Sequence, residues 1–427
     1  MRILVIGSGA RESALCWKFS RSSAVSKVYS WPGSSATRAY SQVLDLPKSA
    51  EFTSLAEHLL KKEKVDFVVV GPEVPLADGV ADVLAAAGVP VFGPTRELAQ
   101  LESSKSYAKK IMAAAGVPTA AFDIATNESE CLSLASARLN KRGAVVLKAS
   151  GLAAGKGVFV CLSESDLTDA LRRLYHSDMK AAAAEVLVEE FLEGRESSFF
   201  VFLGRQEPQR LGFAVDYKRR NDKDKGPNTG GMGSYTPVSW LPVDAEQQVM
   251  NEIVDPLVSH LKKSGKTYVG CLYVGLMWCG NQPKVVEFNI RLGDPEAQIL
   301  AVADDTDWAQ LIAYQLGLVK NPPVRNGFSP TVGVVMASTG YPYESTPDEE
   351  FSCAGELFVP DALPIAFGSA IESLGGKKYN AKSGRVLTVV ARSKTMTDAR
   401  KLAYDKVAEI KEKWQKCHYR QDIGENV

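Results

Sequence analysis

Histidine is scarce in these 427 residues: His58, His176, His260 and His418 stand apart from one another and outside any polar motif. That scarcity excludes a zinc centre of the usual spacing and a histidine-based nucleophile triad. The seven cysteines, at 16, 131, 161, 271, 279, 353 and 417, form no CxxC pair. They read as reduced, packed thiols of a cytoplasmic protein rather than a disulfide framework. Net charge is missing as well, since 50 basic residues balance 50 acidic ones, so bulk electrostatics give no reason to expect nucleic acid or membrane partners. No apolar run reaches the roughly 18 residues of a spanning helix. The first apolar stretch passes straight into charged residues with no cleavage pattern. Internal repeats and low-complexity tracts are also absent.

What is present is a 45% hydrophobic chain, long enough for two to four domains at about 150 residues each. The stretch that organises it is Val285-Val286-Glu287-Phe288-Asn289-Ile290-Arg291-Leu292-Gly293-Asp294-Pro295-Glu296. The pattern from Lys284 to Ile290 predicts a strand whose period of two sends Glu287, Asn289 and Arg291 to one face and Val286, Phe288 and Ile290 to the other. A carboxylate and an amide oxygen two residues apart suit a hard divalent cation shared with phosphate oxygens, with Arg291 taking up leftover negative charge. The alternative for Glu-x-Asn alone is a strand with its polar face in water.

Taken in order, Arg2 to Ile6 reads as a buried parallel strand, followed by Gly7-Ser8-Gly9-Ala10-Arg11-Glu12 and a helical pattern through Phe19. Small residues at such a turn can cradle a phosphate. A dinucleotide fingerprint would need glycine where Glu12 stands, so phosphate, ribose-phosphate or a plain tight turn remain. Strand-like runs recur at Lys27–Trp31, Val65–Val70 and Val89–Phe92. The turn Gly71-Pro72-Glu73-Val74-Pro75-Leu76-Ala77-Asp78-Gly79 must lie beside the Gly7–Glu12 turn at the ligand-binding edge of an open sheet.

Ser103-Ser104-Lys105 opens a helix with Tyr107, Ile111 and Ala115 on its apolar side, ended by Gly116-Val117-Pro118. Further on, Ala144–Lys148 and Val158–Cys161 flank a glycine-rich loop carrying Gly151, Gly155, Lys156 and Gly157. The loop is no P-loop: its glycine spacing is one residue short, Gly157 replaces the hydroxyl, and a strand follows. It predicts a flexible hairpin able to close over nucleotide phosphates, or a surface turn. In Val186 to Glu196, the acids Glu189 and Glu196 and the Leu192 N–H could meet the adenine amino group, a ring nitrogen and the ribose hydroxyls.

Lys105, Lys148, the glycine loop, Glu189 to Leu192 with Glu196, and Glu287-x-Asn289 come in an order that resembles the ATP-grasp superfamily. More narrowly, the chain is similar to the phosphoribosylamine–glycine ligase family. That similarity rests on Gly71-Pro72-Glu73, Lys148 to Gly157, Gly226-Pro227-Asn228-Thr229-Gly230-Gly231-Met232-Gly233, Glu287 to Glu296, Ser383-Gly384-Arg385-Val386-Leu387 and Asp422-Ile423-Gly424. It implies an α/β architecture in three parts: an N-terminal open parallel domain (1–100), an ATP-grasp domain (101–325) with a small nucleotide-covering subdomain at about 123–186, and a C-terminal α+β domain (326–427).

The resemblance also implies an activity, in which ATP phosphorylates glycine and 5-phosphoribosylamine attacks the acyl phosphate, with Mg²⁺ or Mn²⁺ as cofactor and no side-chain nucleophile. It assigns Glu287 and Asn289 to the metal. Lys105, Lys148, Gly155, Lys156, Gly157, Glu189, Phe191, Leu192 and Glu196 go to the nucleotide. Arg291, Lys148, Asp216 and Lys218 go to the chemistry, and Gly9, Arg11, Glu12, Pro72, Glu73, Asp78, Arg219, Gly230, Gly231, Met232 and Arg291 to the small substrates. A monomer without nucleic acid or membrane partners is expected.

The chain departs from the family at Ser13 (usually His), Ser34 (Asn), Ser150 (Asp), Val215 and Tyr217 (Gln and His of a Gln-Asp-His-Lys-Arg run), and Gly368, near a motif that usually bears His. Most of these lie where the family receives its acceptor. They leave room for a paralogue that uses a different amine, while a nucleotide-binding scaffold without turnover would have lost Glu287, Asn289, Lys148 or Lys156.

Overall fold

The computed structural model describes residues 1–151, 157–425 and 427, apart from the side chain of Asp178. The expected parallel sheet is present and has five strands, in the order Gln42–Val43, Lys27–Pro32, Arg2–Gly7, Phe67–Val70, Val91–Phe92. Ile3, Leu4, Val5 and Ile6 are all buried, as a central strand covered on both faces requires. Glu73–Ala77 and Val80–Ala86 are two short helices parted at Gly79, whose φ is +90°.

A four-stranded antiparallel sheet, ordered Phe122–Ala125, Val186–Glu190, Val145–Ala149, Val158–Cys161, packs under the helices Glu128–Arg142 and Glu164–Tyr175. It has a core of its own, built on Ala135, Leu147, Leu167, Leu171 and Val188. The glycine loop joins two of its strands, and the assigned residues Gly155 and Lys156 lie outside the described residues.

The third sheet is large. From one edge it runs Gln282–Asn289, Gly270–Cys279, Arg195–Leu203, Gln209–Asp216, Gly233–Thr236, Thr331–Ser338, Arg385–Arg392, Ile365–Gly368, with Cys417–His418 also on Thr331–Ser338. Gly233–Thr236 pairs residue for residue with Thr331–Val334. The C-terminal segment is therefore hydrogen-bonded into the same sheet as the Glu287 strand. The closing helix Met396–Lys413 buries Ala399, Ala403, Val407 and Ile410 against this sheet. Among the described residues no helix is long and apolar enough to cross a membrane.

Two sequence-based expectations change. The strand Gln282–Asn289 does not keep a strict period of two, because its register with Gly270–Cys279 slips: Gly275 faces Glu287 but Leu276 faces Val285. Val286 is the extra residue of this bulge and is half-exposed rather than on the apolar face with Phe288. On the helix Lys105–Ala115 the buried side is Ser106, Ala108, Lys109 and Met112, while Tyr107, Ile111 and Ala115 are only half-buried. The helix is covered from the side that carries polar groups.

Candidate active site

The bulge shapes the centre of the site. Edge pairing occupies Val285, whose N–H donates to Pro118 O at 2.8 Å and whose carbonyl accepts from Thr119 Oγ1 at 2.5 Å. The carbonyl of Val286, freed from the ladder, accepts from Lys148 Nζ at 3.2 Å. Lys148, on the small sheet, thus reaches across to the neighbour of Glu287. Its ammonium also stands 2.9 Å from Glu189 Oε2, with both side chains buried. The Glu189 side chain is engaged by lysine, which leaves Phe191 and Leu192, in the bend after Val186–Glu190, as the groups facing outward.

Lys105 begins its helix beside this strand. Its N–H donates to Ser150 O at 2.9 Å, and Ser150 Oγ accepts from the Ser106 N–H at 3.1 Å. Ser150 therefore ties the end of the Lys148 strand to the start of the Lys105 helix. Burial pushes the half-buried Glu287 carboxyl up, but Lys218, Lys105, Lys148 and Arg291 together hold it below the usual carboxylate range. An ionised carboxylate ringed by cations, with the Asn289 amide two residues on, fits a hard divalent ion that draws its remaining ligands from phosphate oxygens. Among the described residues no three His, Cys, Asp or Glu side chains converge as a self-sufficient metal cluster.

Arg291 leaves the end of the strand and donates from Nη2 to Glu102 Oε1 at 2.7 Å, with Nε 3.4 Å from Glu73 Oε2. Glu102 Oε2 accepts from the Ile290 N–H at 2.9 Å. Burial drives the Glu102 carboxyl up against the pull of Arg291 and that N–H. Sequence reasoning missed Glu102. The available signal was its place on the stripe Leu98, Leu101, Glu102, an acid on the buried face of a helix.

Arg11 and Glu12 belong to the same neighbourhood. Arg11 donates from Nε to Glu12 Oε1 at 2.6 Å and from Nη1 to Leu292 O at 3.1 Å, while Glu12 Oε2 accepts the Gly9 N–H at 2.6 Å. Glu12 lies so close to Gly71 that a side-chain carbon there would stand 2.1 Å from Oε1. The third glycine that a dinucleotide site would need is replaced by a carboxylate that fills the turn. Beside it opens a cleft of about 550 Å³ lined in part by Ser8, Gly9, Glu12, Lys48, Ser49 and Pro72. Asp78 is exposed at the end of the Glu73–Ala77 helix.

Asp216 and Glu296 form a pair of carboxylates. Burial first and Glu296 second push the Asp216 carboxyl well up, and burial likewise raises Glu296. Asp216 Oδ1 and Glu296 Oε1 have no hydrogen-bond partner, so like charges share a dry corner in which one proton is readily retained. Lys218 lies next to them, its ammonium held by Glu196 at 3.3 Å and raised chiefly by that acid. Over Asp216 passes Gly231, and Met232 is buried beneath, its N–H donating to Tyr217 O. Arg385 fastens this loop from the C-terminal segment: Nη1 donates to Gly230 O and Asp294 O, both at 2.5 Å, and Nη2 lies 3.2 Å from Asp294 Oδ2. Arg219 is exposed and turns to Gly226 O. Gly157 closes the hairpin, its carbonyl accepting from the Ala149 N–H.

An antiparallel covering sheet whose buried lysine reaches an acid-and-amide strand on a larger sheet is the architecture of an ATP-grasp enzyme. Comparison with known proteins narrows the class. The phosphoribosylglycinamide synthetase N domain matches residues 1–102, its ATP-grasp (A) domain 103–297 and its C domain 331–426. The chain is 37% identical over 428 residues to phosphoribosylamine–glycine ligase of Rhizobium meliloti, covering 99% of this chain and 98% of that one. It is 38% identical to the Xylella fastidiosa enzyme of the same name, over 99% and 97%. The crystal structure of phosphoribosylamine–glycine ligase from Thermotoga maritima superposes with a TM-score of 0.81 at 29% identity, covering 99% of this chain and all of that one. The chain belongs to the phosphoribosylamine–glycine ligase family.

Proposed function

We propose that the protein ligates glycine to 5-phosphoribosylamine at the expense of ATP, giving glycinamide ribonucleotide, ADP and phosphate. The observation that carries this reading is the meeting of Lys148 from the covering sheet with the Val286 carbonyl, one residue before Glu287. It supports a reading in which a lysine for the phosphates stands beside the strand that carries the metal ligands. Similarity over the full length of the family favours it over ligation of an unrelated amine.

In this reading Glu287 and Asn289 hold Mg²⁺ or Mn²⁺, which when bound neutralises phosphate charge. Lys105 and Lys148 face the phosphates. Phe191 and Leu192 form the adenine edge, and Glu196 lies within reach of the ribose. The glycine carboxylate attacks the γ-phosphorus, the bond to ADP breaks, and Arg291 offsets the charge that builds on the transferred group. The amine of phosphoribosylamine then attacks the acyl carbon, phosphate leaves, and the proton released passes to the member of the Asp216–Glu296 pair that is still ionised. The ribose phosphate occupies the cleft beside Gly9 and Glu12, where Lys48 supplies a cation.

The test is ADP release with glycine and freshly prepared phosphoribosylamine, with mass identification of the product. Formation that needs both substrates is expected. ADP with another amine in place of phosphoribosylamine, or none with either, overturns the assignment.

A further inference from the structure

The helix Lys105–Ala115 carries on its buried side a second lysine that none of these roles uses. Lys109 Nζ stands 3.2 Å from Glu189 Oε1 and donates to Thr119 Oγ1 at 2.6 Å; that hydroxyl donates in turn to Val285 O at 2.5 Å. The other oxygen of Glu189 holds Lys148, which donates to Val286 O. Lys109, Lys148 and Glu189 are each at least 95% buried. Two ammonium groups therefore share one carboxylate; Lys148 is anchored directly to the carbonyl of the bulge residue Val286, and Lys109 through the Thr119 hydroxyl to the carbonyl of Val285 before it.

The charge count is what matters. A buried Lys148–Glu189 pair alone would be neutral and closed on itself, with little attraction left for a phosphate. A second cation on the same acid leaves the triad with one net positive charge. Burying lysine is costly, and methionine of similar length would fill the same space, so the position supplies charge rather than volume.

We propose that Lys109 is a positioning residue for the nucleotide: by occupying one oxygen of Glu189 it keeps Lys148 shared between the other oxygen and the Val286 carbonyl, with positive charge to spare for a phosphate. The inference rests on the reading that Lys148 faces the nucleotide. Groups facing Lys109 are Glu189 and Glu190 of one strand, Lys148 of the next, the Thr119 hydroxyl and the Phe122 ring at 5.6 Å. Burial, against the pull of Glu189, brings the Lys109 ammonium down to about 8. Below that pH the second cation is present; above it the triad falls to a neutral pair.

The experiment titrates the full-length protein with Mg-ADP by calorimetry at pH 7 and pH 9. Lys109→Met should weaken binding at pH 7 by about tenfold, the worth of one charge-assisted contact. The wild type should approach the variant at pH 9, Lys109→Arg should bind well at both, and the KM for glycine should not move. Equal affinity of Lys109→Met and wild type at pH 7, or a pH dependence that survives in Lys109→Met, overturns the proposal. Should Lys109→Met fail to fold, Thr119→Val keeps both charges and removes one anchor: a several-fold weaker Mg-ADP complex that still depends on pH is expected, and unchanged binding overturns the proposal. Wild type that binds Mg-ADP but makes no ADP from glycine and phosphoribosylamine would refute the ligase assignment alone.

Discussion

Gly231→Ala isolates how tightly the loop over Asp216 is fitted. Gly231 has φ +108°, and a side-chain carbon there would stand 2.6 Å from Pro295 Cδ and 2.7 Å from Asp216 Oδ1. The backbone conformation costs an L-residue about 1–3 kcal/mol, and pushing proline or a carboxylate aside adds about 1–3 kcal/mol. Together the loss of stability should be about 4 kcal/mol. Gly230→Ala is the control, since its added carbon meets the Arg385 guanidinium at 3.1 Å and the Tyr341 hydroxyl at 3.3 Å. Contacts of that length ask for shifts of only a few tenths of an ångström, so about 1 kcal/mol or less is expected. Urea unfolding of both variants measures the difference. Steady-state ADP release should show Gly231→Ala raising the acceptor or glycine KM through displaced Asp216. A Gly231→Ala protein within about 1 kcal/mol of wild type, or equal losses in both variants, would refute the close-fit reasoning.

Glu287→Ala should lower turnover on the order of 10³-fold or more at saturating ATP; near-normal ADP release would remove Glu287 from the metal seat. The Asp294 carboxyl is pushed up by burial but held below the usual aspartate range by Arg385 and Arg11. Its contribution to stability is therefore present above the ordinary value and lost only as pH falls through the lower folded one, so Arg385→Met should move acid unfolding, followed by circular dichroism, to higher pH. Gly368→His is crowded from its first side-chain carbon, which would stand 2.6 Å from Ile371, 2.7 Å from Ala36 and 2.8 Å from Phe358. It should destabilise by about 1–3 kcal/mol or more in denaturant, and unchanged stability would show that the pocket still has room for the ring.

The Glu287–Asn289 pair was legible because the two residues lie on the same side of a strand whichever face is buried, a property of local geometry alone. Its bulge was not legible. Whether Val286 stays in the ladder is decided by the slip between Gly275 and Leu276 on the partner strand, a non-local fact. The same holds for the triad on Glu189, which needs a helix, two strands of the covering sheet and the Thr119 edge brought together. Yet a trace was visible: Lys105, Lys109 and Met112 share one face of a helix, and a lysine beside a buried methionine needs an anionic partner. Likewise the C-terminal segment reads in sequence as a separate unit, and only strand pairing at Gly233–Thr236 reveals it as part of the sheet that carries Glu287.

The departures from the family pattern divide along the same lines. Tyr217 is built into the scaffold: the Arg420 guanidinium lies 4.6 Å over its ring, its hydroxyl accepts the Gly424 N–H at 3.2 Å, and Arg420 itself is buried between Asp224 and Asp422. Gly368 is walled in by Ala36, two residues from Ser34, and follows Phe367, which packs edge-on against Trp17 and Tyr40. Ser13 sits on the helix that carries Trp17, fully buried with its hydroxyl unpartnered. Three of the altered positions thus lie around one aromatic packing site at the junction of the N-terminal and C-terminal segments, where Trp17, Tyr40 and Phe367 meet. None touches Lys148, Glu189 or the Glu287 strand among the described contacts. Ser150 alone among the departures lies in the nucleotide half. There its hydroxyl accepts the Ser106 N–H while its carbonyl accepts the Lys105 N–H, so a serine at this position still ties the start of the Lys105 helix to the end of the Lys148 strand.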